Sequence, residues 1–346
     1  IGPGQAQYTM CCTESGGVVD DLIQYLRSDE DVFLIPNAAN TARVVEMLAD
    51  AAPDGVVVEN LHDRYGVIAV QGPRSDEVLR ALGLPVDHDY MSFVETEWEG
   101  LPVIVCRTGY TGERGYEIVP AWDVAASVWD ALAAAVEAEG GVPCGLGARD
   151  TLRTEMGYPL HGNDLSPDIT PVMAGAAWAV GWDKEAFWGK QALARERAEK
   201  SGRLMRGLVV TGRGIPRSHC AVADASGAVV GEVTSGTFSP TRRQGVALAL
   251  LDRSVALGDD VVIDVRGRAG NGHQAALRRG GGASAVSEAW TWSYEAADGS
   301  PVSGDPMADT PFPTQSDAES WFGEVWHELA GAGVATVTLH RDGARV

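Results

Sequence analysis

Three short runs carry side chains whose types and spacing could do chemistry. The first is "CCTESGGVVDDLIQYL", from Cys11, where Asp20 and Asp21 sit side by side in an apolar frame. In a strand of period two, neighbours point to opposite faces, so one carboxylate meets the core side. An ionised carboxylate is costly there unless it is paired or hydrogen-bonded. Either it caps a turn or pairs with a basic residue, or it holds a cationic or amide-rich ligand. The second run is "CRTGYTGERGYEIVP", from Cys106. Two Thr-Gly steps flank Tyr110, and glycine lets a backbone approach something closely. Glu117 lies between Tyr116 and Ile118, which puts it on the face opposite those two apolar side chains. It is either solvated on an edge strand or an acceptor for the paired N–H donors of a flat heterocycle, the mirror of an arginine fork on a carboxylate. The third run is "PCGLGARDTLRTEMGYPLHGND", from Pro143. Arg149 and Arg153 are four apart, one above the other on a helix, with Asp150 placed to hold one of them. This is either a structural salt-bridge cluster or a ligand site. The glycine-rich lead-in has neither Walker nor dinucleotide spacing.

These runs need elements to position them. "GGVVDDLIQYL" and "DVFLIPNAAN" read as two strands joined by the polar turn "RSDED". Residues 41–52 read as a helix, and "VVVENL", "YGVIAVQGP" and "LPVIVCRTGY" as strands. Val124, Val128, Leu132 and Val136 recur every four residues and predict a helix that Gly140-Gly141 ends. A further helix begins near Gly147 and carries Arg149, Asp150 and Arg153, and "KQALARERAEK" is another. From Arg203 to Arg266 short apolar strands broken by Gly, Pro and Ser predict a small β-barrel or sandwich. "AGNGHQAALRRGGGASAVS" has a linker's composition. After it, "WTWSYEAADG" reads as strand and turn and "VATVTLHRDG" as a strand. Between them "SDAESWFGEVWHELAGAG" reads as a helix with a Ser316–Glu319 capping box and a Trp321, Val325, Leu329 stripe.

Composition narrows the function. A chain of 346 residues with 45% apolar content is long enough for two or three domains. A net charge of -21 argues against broad binding to nucleic acid or an anionic membrane. Five cysteines without paired metal spacing fit a reduced, cytoplasmic setting. No apolar run approaches the roughly 20 residues that span a bilayer. The histidines are scattered, and His161 has no metal-spaced partner, so no metal site is expected.

Several motifs occur together and in order: "SGGVVDDLIQYL", "NAAN", "VQGP", "CRTGYTGERGYEIVP", "GLGARDTLRTEMGYPLHGND" and "TSGTFSPT". From about Gln5 to Arg268 the chain resembles the glycine cleavage system T protein family, the aminomethyltransferases, in their actinobacterial style. The resemblance implies an α+β, multi-domain cloverleaf of the folate-binding type with a C-terminal β-barrel, to which a small α/β unit is appended. The expected parts are a folate-binding region of two interleaved α/β domains over 1–200, the barrel over 201–268, a linker over 269–287 and the small unit over 288–346. It implies transfer of a methylene group to tetrahydrofolate from an aminomethyl group on the lipoyl arm of the H protein, with release of ammonia. It implies no metal and no flavin. By motif match Asp21 takes the place of the family's catalytic aspartate, and Glu117 and Arg149 take folate-contacting places. Tyr8, Tyr25, Asn37, Asn40, Tyr90, Tyr110 and Tyr158 match pocket positions. Of the two aspartates, Asp21 is the one expected to face the folate, leaving Asp20 to structure or solvent.

The resemblance also sets expectations at both ends. Family members carry a sizeable segment before the position of Tyr8, with a "GxFDxSHM"-like motif, and finish after the "VRGR" position with a "KPPFV"-like tail. Here Arg268 leads into "AGNGHQAALRR". One permitted codon choice for Gly270 through Arg279 is GGC AAC GGC CAC CAA GCC GCC CTT CGT CGC, which read one base later gives ATATKPPFV. A shifted reading frame near residue 270 is therefore expected, and the gene's nucleotide sequence tests it. The same uninterrupted frame in independent relatives would overturn it. Other readings of the chain are a folate-binding protein of the superfamily without this activity, an inactive truncated or frameshifted product, and a demethylating oxidase that joins a related domain to a flavin domain. The absence of a "KGCYxGQE"-type run disfavours the first. No flavin-binding motif is visible for the last.

Overall fold

The strand that carries the two aspartates is the central one of three. In the computed structural model, β1 (Ala6–Cys12), β2 (Val18–Ser28) and β3 (Asp31–Ile35) form an antiparallel sheet in the order β1-β2-β3. Met10 pairs with Asp21 and Cys11 with Asp20. The structure describes residues 1–212, 214–265, 268–274, 290–303, 329, 331–341 and 344–345. The chain divides into two compact units, Ile1–Gly280 and Gly281–Val346.

Helix α1 (Thr41–Ala51) follows β3 and buries Val44 against Cys11 and Leu22. A second antiparallel sheet has the order β4-β7-β6-β5, from β4 (Ile68–Gln71), β5 (Phe93–Trp98), β6 (Leu101–Cys106) and β7 (Gly115–Pro120). Between them lies α2 (Ser75–Ala81), and after them α3 (Ala125–Ala138). One face of this sheet, with Val70, Val105, Tyr116 and Ile118, packs on Val78 and Leu79 of α2 and on Val128 and Leu132 of α3. These are two of the residues the fourfold spacing selects, and Gly140 after the helix has φ +78°. The opposite face, with Ile104, Cys106 and Val119, packs on Tyr25 and Phe33 of the first sheet. Glu117 belongs to that second face by alternation, so the strand delivers it toward β2.

Helix α4 (Leu146–Glu155) and helix α5 (Lys190–Glu199) lead to the barrel. Its strands are β8 (Arg203–Val210), β9 (Ala221–Ala223), β10 (Val229–Ser239), β11 (Gln244–Asp252), β12 (Asp260–Val265) and β13 (Arg268–Gln274), closed in the order β10-β11-β8-β13-β12-β9. Its core includes Leu208, Val222, Val233, Ala247, Ala249, Leu251 and Ile263. Alternate residues of β11 line it, as period two requires.

Two expectations are corrected. "VVVENL" (56–61) is not a strand, and Val57 is 88% exposed. Apolar, β-branched composition forms a strand only where another strand offers a hydrogen-bonding edge, and no described strand pairs with this run. The stretch after Arg268, which reads as linker by composition, begins as β13. It pairs with β12 from Val265↔Arg268 to Asp260↔His273, and with β8 at Gly272↔Val210. Strand pairing is made by the main chain, which side-chain composition does not report.

In the second unit β14 (Trp290–Glu295), β15 (Thr336–Arg341) and β16 (Ala344–Arg345) form a sheet in that order, with Trp290 and Tyr294 buried. Leu329 is buried, and residues 316–328 and 330 of the expected helix lie outside the described residues.

Candidate active site

The turn before β2 fixes how its carboxylates are presented. Gly17 packs so tightly on the loop after α4 that a Cβ there would lie 1.7 Å from the Pro167 carbonyl oxygen. From this anchor the strand alternates, and the two aspartates diverge. Asp20 is fully buried. Its Oδ2 accepts the Asn37 backbone N–H at 3.0 Å, and its Oδ1 accepts Asn37 Nδ2 at 2.9 Å and Asn40 Nδ2 at 2.6 Å. Three N–H donors and no cation meet the requirement of a buried carboxylate.

Asp21 stands on the other face and is partly buried. Tyr8 Oη donates to its Oδ2 at 3.0 Å, and Asn37 Nδ2 donates to its Oδ1 at 3.0 Å. Each oxygen keeps a further lone pair. Burial pushes the Asp21 carboxyl above the ordinary carboxylate range, and the Asp20 charge adds to this, against the two hydrogen bonds and the nearby His161. Burial and the Asp21 charge likewise hold Tyr8 as a neutral phenol, the donor of the pair. The Tyr8 ring stacks on Trp178 at 5.5 Å.

His161 closes this cluster from the loop after α4. Its Nε2 lies 3.1 Å from the Val18 carbonyl, and its Nδ1 lies 3.0 Å from Asn40 Nδ2. A carbonyl can only accept, so Nε2 carries the proton and Nδ1 accepts from the Asn40 amide. Asn37 and Asn40 thus spend their amides on the carboxylate pair and His161 and act as the clamp that orients it.

Glu117 anchors the other half of the site. Thr108 Oγ1 donates to Glu117 Oε2 at 2.5 Å, and Tyr25 Oη lies 3.3 Å from the same hydroxyl. Tyr25 is itself only 1% exposed, so it reaches the site through Thr108 and lends it no ring surface. Glu117 Oε1 makes no hydrogen bond among the described residues. Tyr110 donates to the Pro159 carbonyl and stacks on Tyr158 at 5.9 Å, and the Arg149 guanidinium lies over its ring at 4.3 Å. The Tyr110 hydroxyl is raised by burial first and feels the charges of Arg153, Asp21, Asp164 and Arg149. Its partner Pro159 lies two residues before His161, which bonds Val18 and Asn40 in the Asp21 half. Tyr90 is 40% exposed on the turn into β5, in the sheet that carries Glu117.

The two arginines of α4 have different tasks. Arg153 is 1% exposed and anchors a largely buried network. Its Nε and Nη2 bond Asp150 Oδ1 at 2.9 and 2.5 Å, Nη1 bonds Asp164 Oδ2 at 2.8 Å, and Nη2 bonds Ser235 Oγ at 2.9 Å. This ties α4 and the His161 loop to barrel strand β10. Arg149, one turn away, makes no ion pair among the described residues and keeps its N–H donors. Sequence reasoning missed Trp178, Thr108, Asp164 and the part His161 plays. A tryptophan in "AAWAVGW" or a histidine without a metal partner carries no local signal, because each acts through partners far away in sequence.

Known proteins are similar to this chain over most of its length. The model of the GCVT N-terminal domain matches residues 1–184, and that of the glycine cleavage T-protein C-terminal barrel domain matches 203–276. The chain is 66% identical over 270 residues to an aminomethyltransferase of Frankia alni, covering 78% of this chain and 74% of that protein. It is 59% identical over 271 residues to an aminomethyltransferase of Mycobacterium tuberculosis, with 78% and 74% covered. A crystal structure of glycine cleavage system aminomethyltransferase T from Bartonella henselae superposes with a TM-score of 0.74 at 31% identity, over 81% of this chain and 77% of that one.

Proposed function

Because this chain belongs to the glycine cleavage T-protein family, we infer that its site is built for folate-dependent aminomethyl transfer and that Asp21, Glu117 and Arg149 divide the work. The chain is an aminomethyltransferase of the glycine cleavage system: it moves the methylene carbon of an aminomethyl group to a folate and releases ammonia. The carbon loses its bonds to sulfur and to nitrogen and gains two to folate nitrogens. The two displaced protons leave with the ammonia and the thiol.

The residue assignments rest on open valences. Glu117 Oε1 and the Arg149 donors, the latter over the Tyr110 ring, are polar groups that the described residues leave unused. A pterin is flat and carries adjacent N–H groups that suit a carboxylate acceptor, and aromatic rings suit its apolar faces. Arg149 suits a carbonyl or carboxylate of the same ligand. Bound tetrahydrofolate supplies the nucleophilic nitrogens. Asp21 orients the attacking nitrogen and stabilises the positive charge that develops on it, in a partly desolvated place where charge counts for more. Tyr8 and Asn37 hold the Asp21 carboxylate so that little reorganisation is needed as the charge develops. Tyr8 and Trp178 form an aromatic wall beside it. The aminomethyl donor is the lipoyl arm of an H protein, which docks transiently, and the setting is cytoplasmic. The reaction needs no metal or flavin. Among the described residues no helix is long and apolar enough to cross a membrane.

Glu117→Gln tests the binding half. The exchange removes the charge and one acceptor, and hydrogen bonds to a charged group are worth about 1.5–3 kcal/mol. The tetrahydrofolate Kd measured by calorimetry is expected to rise about tenfold to a hundredfold, with the rate at saturating folate retained. An unchanged Kd would remove Glu117 from the folate site.

A further inference from the structure

Gln71 ends β4 and touches neither Asp21 nor Glu117 directly, yet both flanks of the Glu117 half of the site converge on its amide. Nε2 donates to the Thr108 carbonyl at 3.2 Å and to the Tyr116 carbonyl at 3.0 Å. Oε1 accepts Thr111 Oγ1 at 3.1 Å. Two carbonyls on one side and a hydroxyl donor on the other fix the amide orientation, since the flipped amide would set oxygen against oxygen.

The backbone has been cleared to let this amide in. A Cβ at Gly109 would lie 2.1 Å from Gln71 Oε1, and one at Gly115 would lie 2.5 Å from Gln71 Cδ. Gly115 is also the register partner of Gln71 across β4 and β7. Thr108-Gly109, Thr111 and Gly115 of "CRTGYTGERG" are thus shaped around a side chain that comes from the "VQGP" run, 37 residues before Thr108. The three bonds span the loop: Thr108 at its start, Thr111 past Tyr110, and Tyr116 next to Glu117.

We propose that Gln71 is a positioning residue for folate binding, the clasp that sets the Thr108–Glu117 hydrogen bond and the Tyr110–Arg149 stack at one spacing. It acts through the loop and does not touch the reacting atoms. Asp21, Tyr8 and Asn37 make no bond to it, so the chemical step is separate from its influence. This rests on the assignment of Glu117 and Arg149 to the folate.

The test is the split between KM and kcat in steady-state ammonia release by the full chain, with tetrahydrofolate varied. Gln71→Met keeps length and removes all three bonds. The KM for tetrahydrofolate is expected to rise about tenfold while kcat stays within about twofold. Gly109→Ala, in an exposed part of the loop, displaces the same amide from the other side and is expected to raise KM in the same direction. It supplies the answer if Gln71→Met does not fold. A merely structural role would lower the active fraction, so kcat would fall with KM unchanged, and that result overturns the proposal. So does a KM within twofold of wild type. Glu117→Gln measured in parallel separates the two levels. If it raises KM and neither Gln71→Met nor Gly109→Ala does, the clasp alone is wrong. If none of the three does, the folate assignment fails and the clasp with it.

Discussion

Replacing Asp21 by Asn is expected to lower the rate of ammonia release about a hundredfold to a thousandfold while leaving the tetrahydrofolate Kd within about threefold of wild type. The exchange is nearly isosteric. The Tyr8 hydroxyl, which donates to Asp21 Oδ2 at 3.0 Å, can rotate and accept from an amide instead. On the proposed role of Asp21, what is lost is the negative charge opposite the nitrogen on which positive charge develops, an interaction that grows only toward the transition state. On the proposed assignment, folate affinity rests on Glu117 and Arg149 and is not touched. Equal losses in rate and affinity would show that Asp21 is a binding residue and would remove its catalytic role.

The same variant has a stability signature of opposite sign. Burial raises the Asp21 carboxyl above its ordinary value. The folded state therefore binds that proton more tightly than the unfolded chain. Its favourable contribution is present below the unfolded value and is lost as pH rises through the folded value. Asp21→Asn removes the cost of ionising a desolvated carboxylate. Its thermal midpoint at neutral pH is expected to equal or exceed that of wild type by about 1–2 °C, the trade-off common at active sites. A midpoint several degrees lower would mean that Asp21 is held for structure.

Arg153→Met is expected to cost about 3–5 kcal/mol of stability, the largest effect of any single exchange considered. Arg153 and Asp164 are an ion pair at 2.8 Å with side-chain exposures of 2% and 0%. Removing the cation leaves Asp164 buried and under-compensated, with one oxygen, Oδ1, already without a partner among the described residues. Ser235 Oγ and the Leu160 N–H remain on Oδ2, at 2.7 and 2.8 Å, and they do not neutralise it. The thermal midpoint should fall by more than about 6 °C. Adding Asp164→Asn to Arg153→Met should restore part of the loss, because the stranded charge is then gone. A shift of less than about 1 °C for the single variant would mean that this network does not hold α4 and the His161 loop to the barrel.

What could be read from the sequence follows from how far each interaction reaches along the chain. The alternation around Asp20 and Asp21 is enough to set their opposite faces, as is that around Tyr116, Glu117 and Ile118. The fourfold recurrence through Val128 and Leu132 placed α3. The order of motifs carried the family and the fold. Roles set by distant partners were not legible. The "GARDTLR" run offers two arginines on one helix face, and nothing local says that Arg153 meets Ser235, 82 residues on, while Arg149 meets Tyr110. Tyr25 matches a pocket position but is buried behind Thr108, because strand parity gives a face and not a depth. Val56 and Val57 have strand composition without a strand neighbour, and Arg268–Gln274 is a strand without strand composition. Pairing is a property of two segments, and one segment alone does not show it.

The most direct test is a single-turnover reaction of this chain with aminomethyl-loaded H protein and tetrahydrofolate, with ammonia and methylene-tetrahydrofolate quantified together. The expected result is one ammonia for each methylene-tetrahydrofolate formed, with neither product appearing when folate is left out. Tight folate binding with no ammonia would contradict it and leave a folate-binding protein without the transferase reaction.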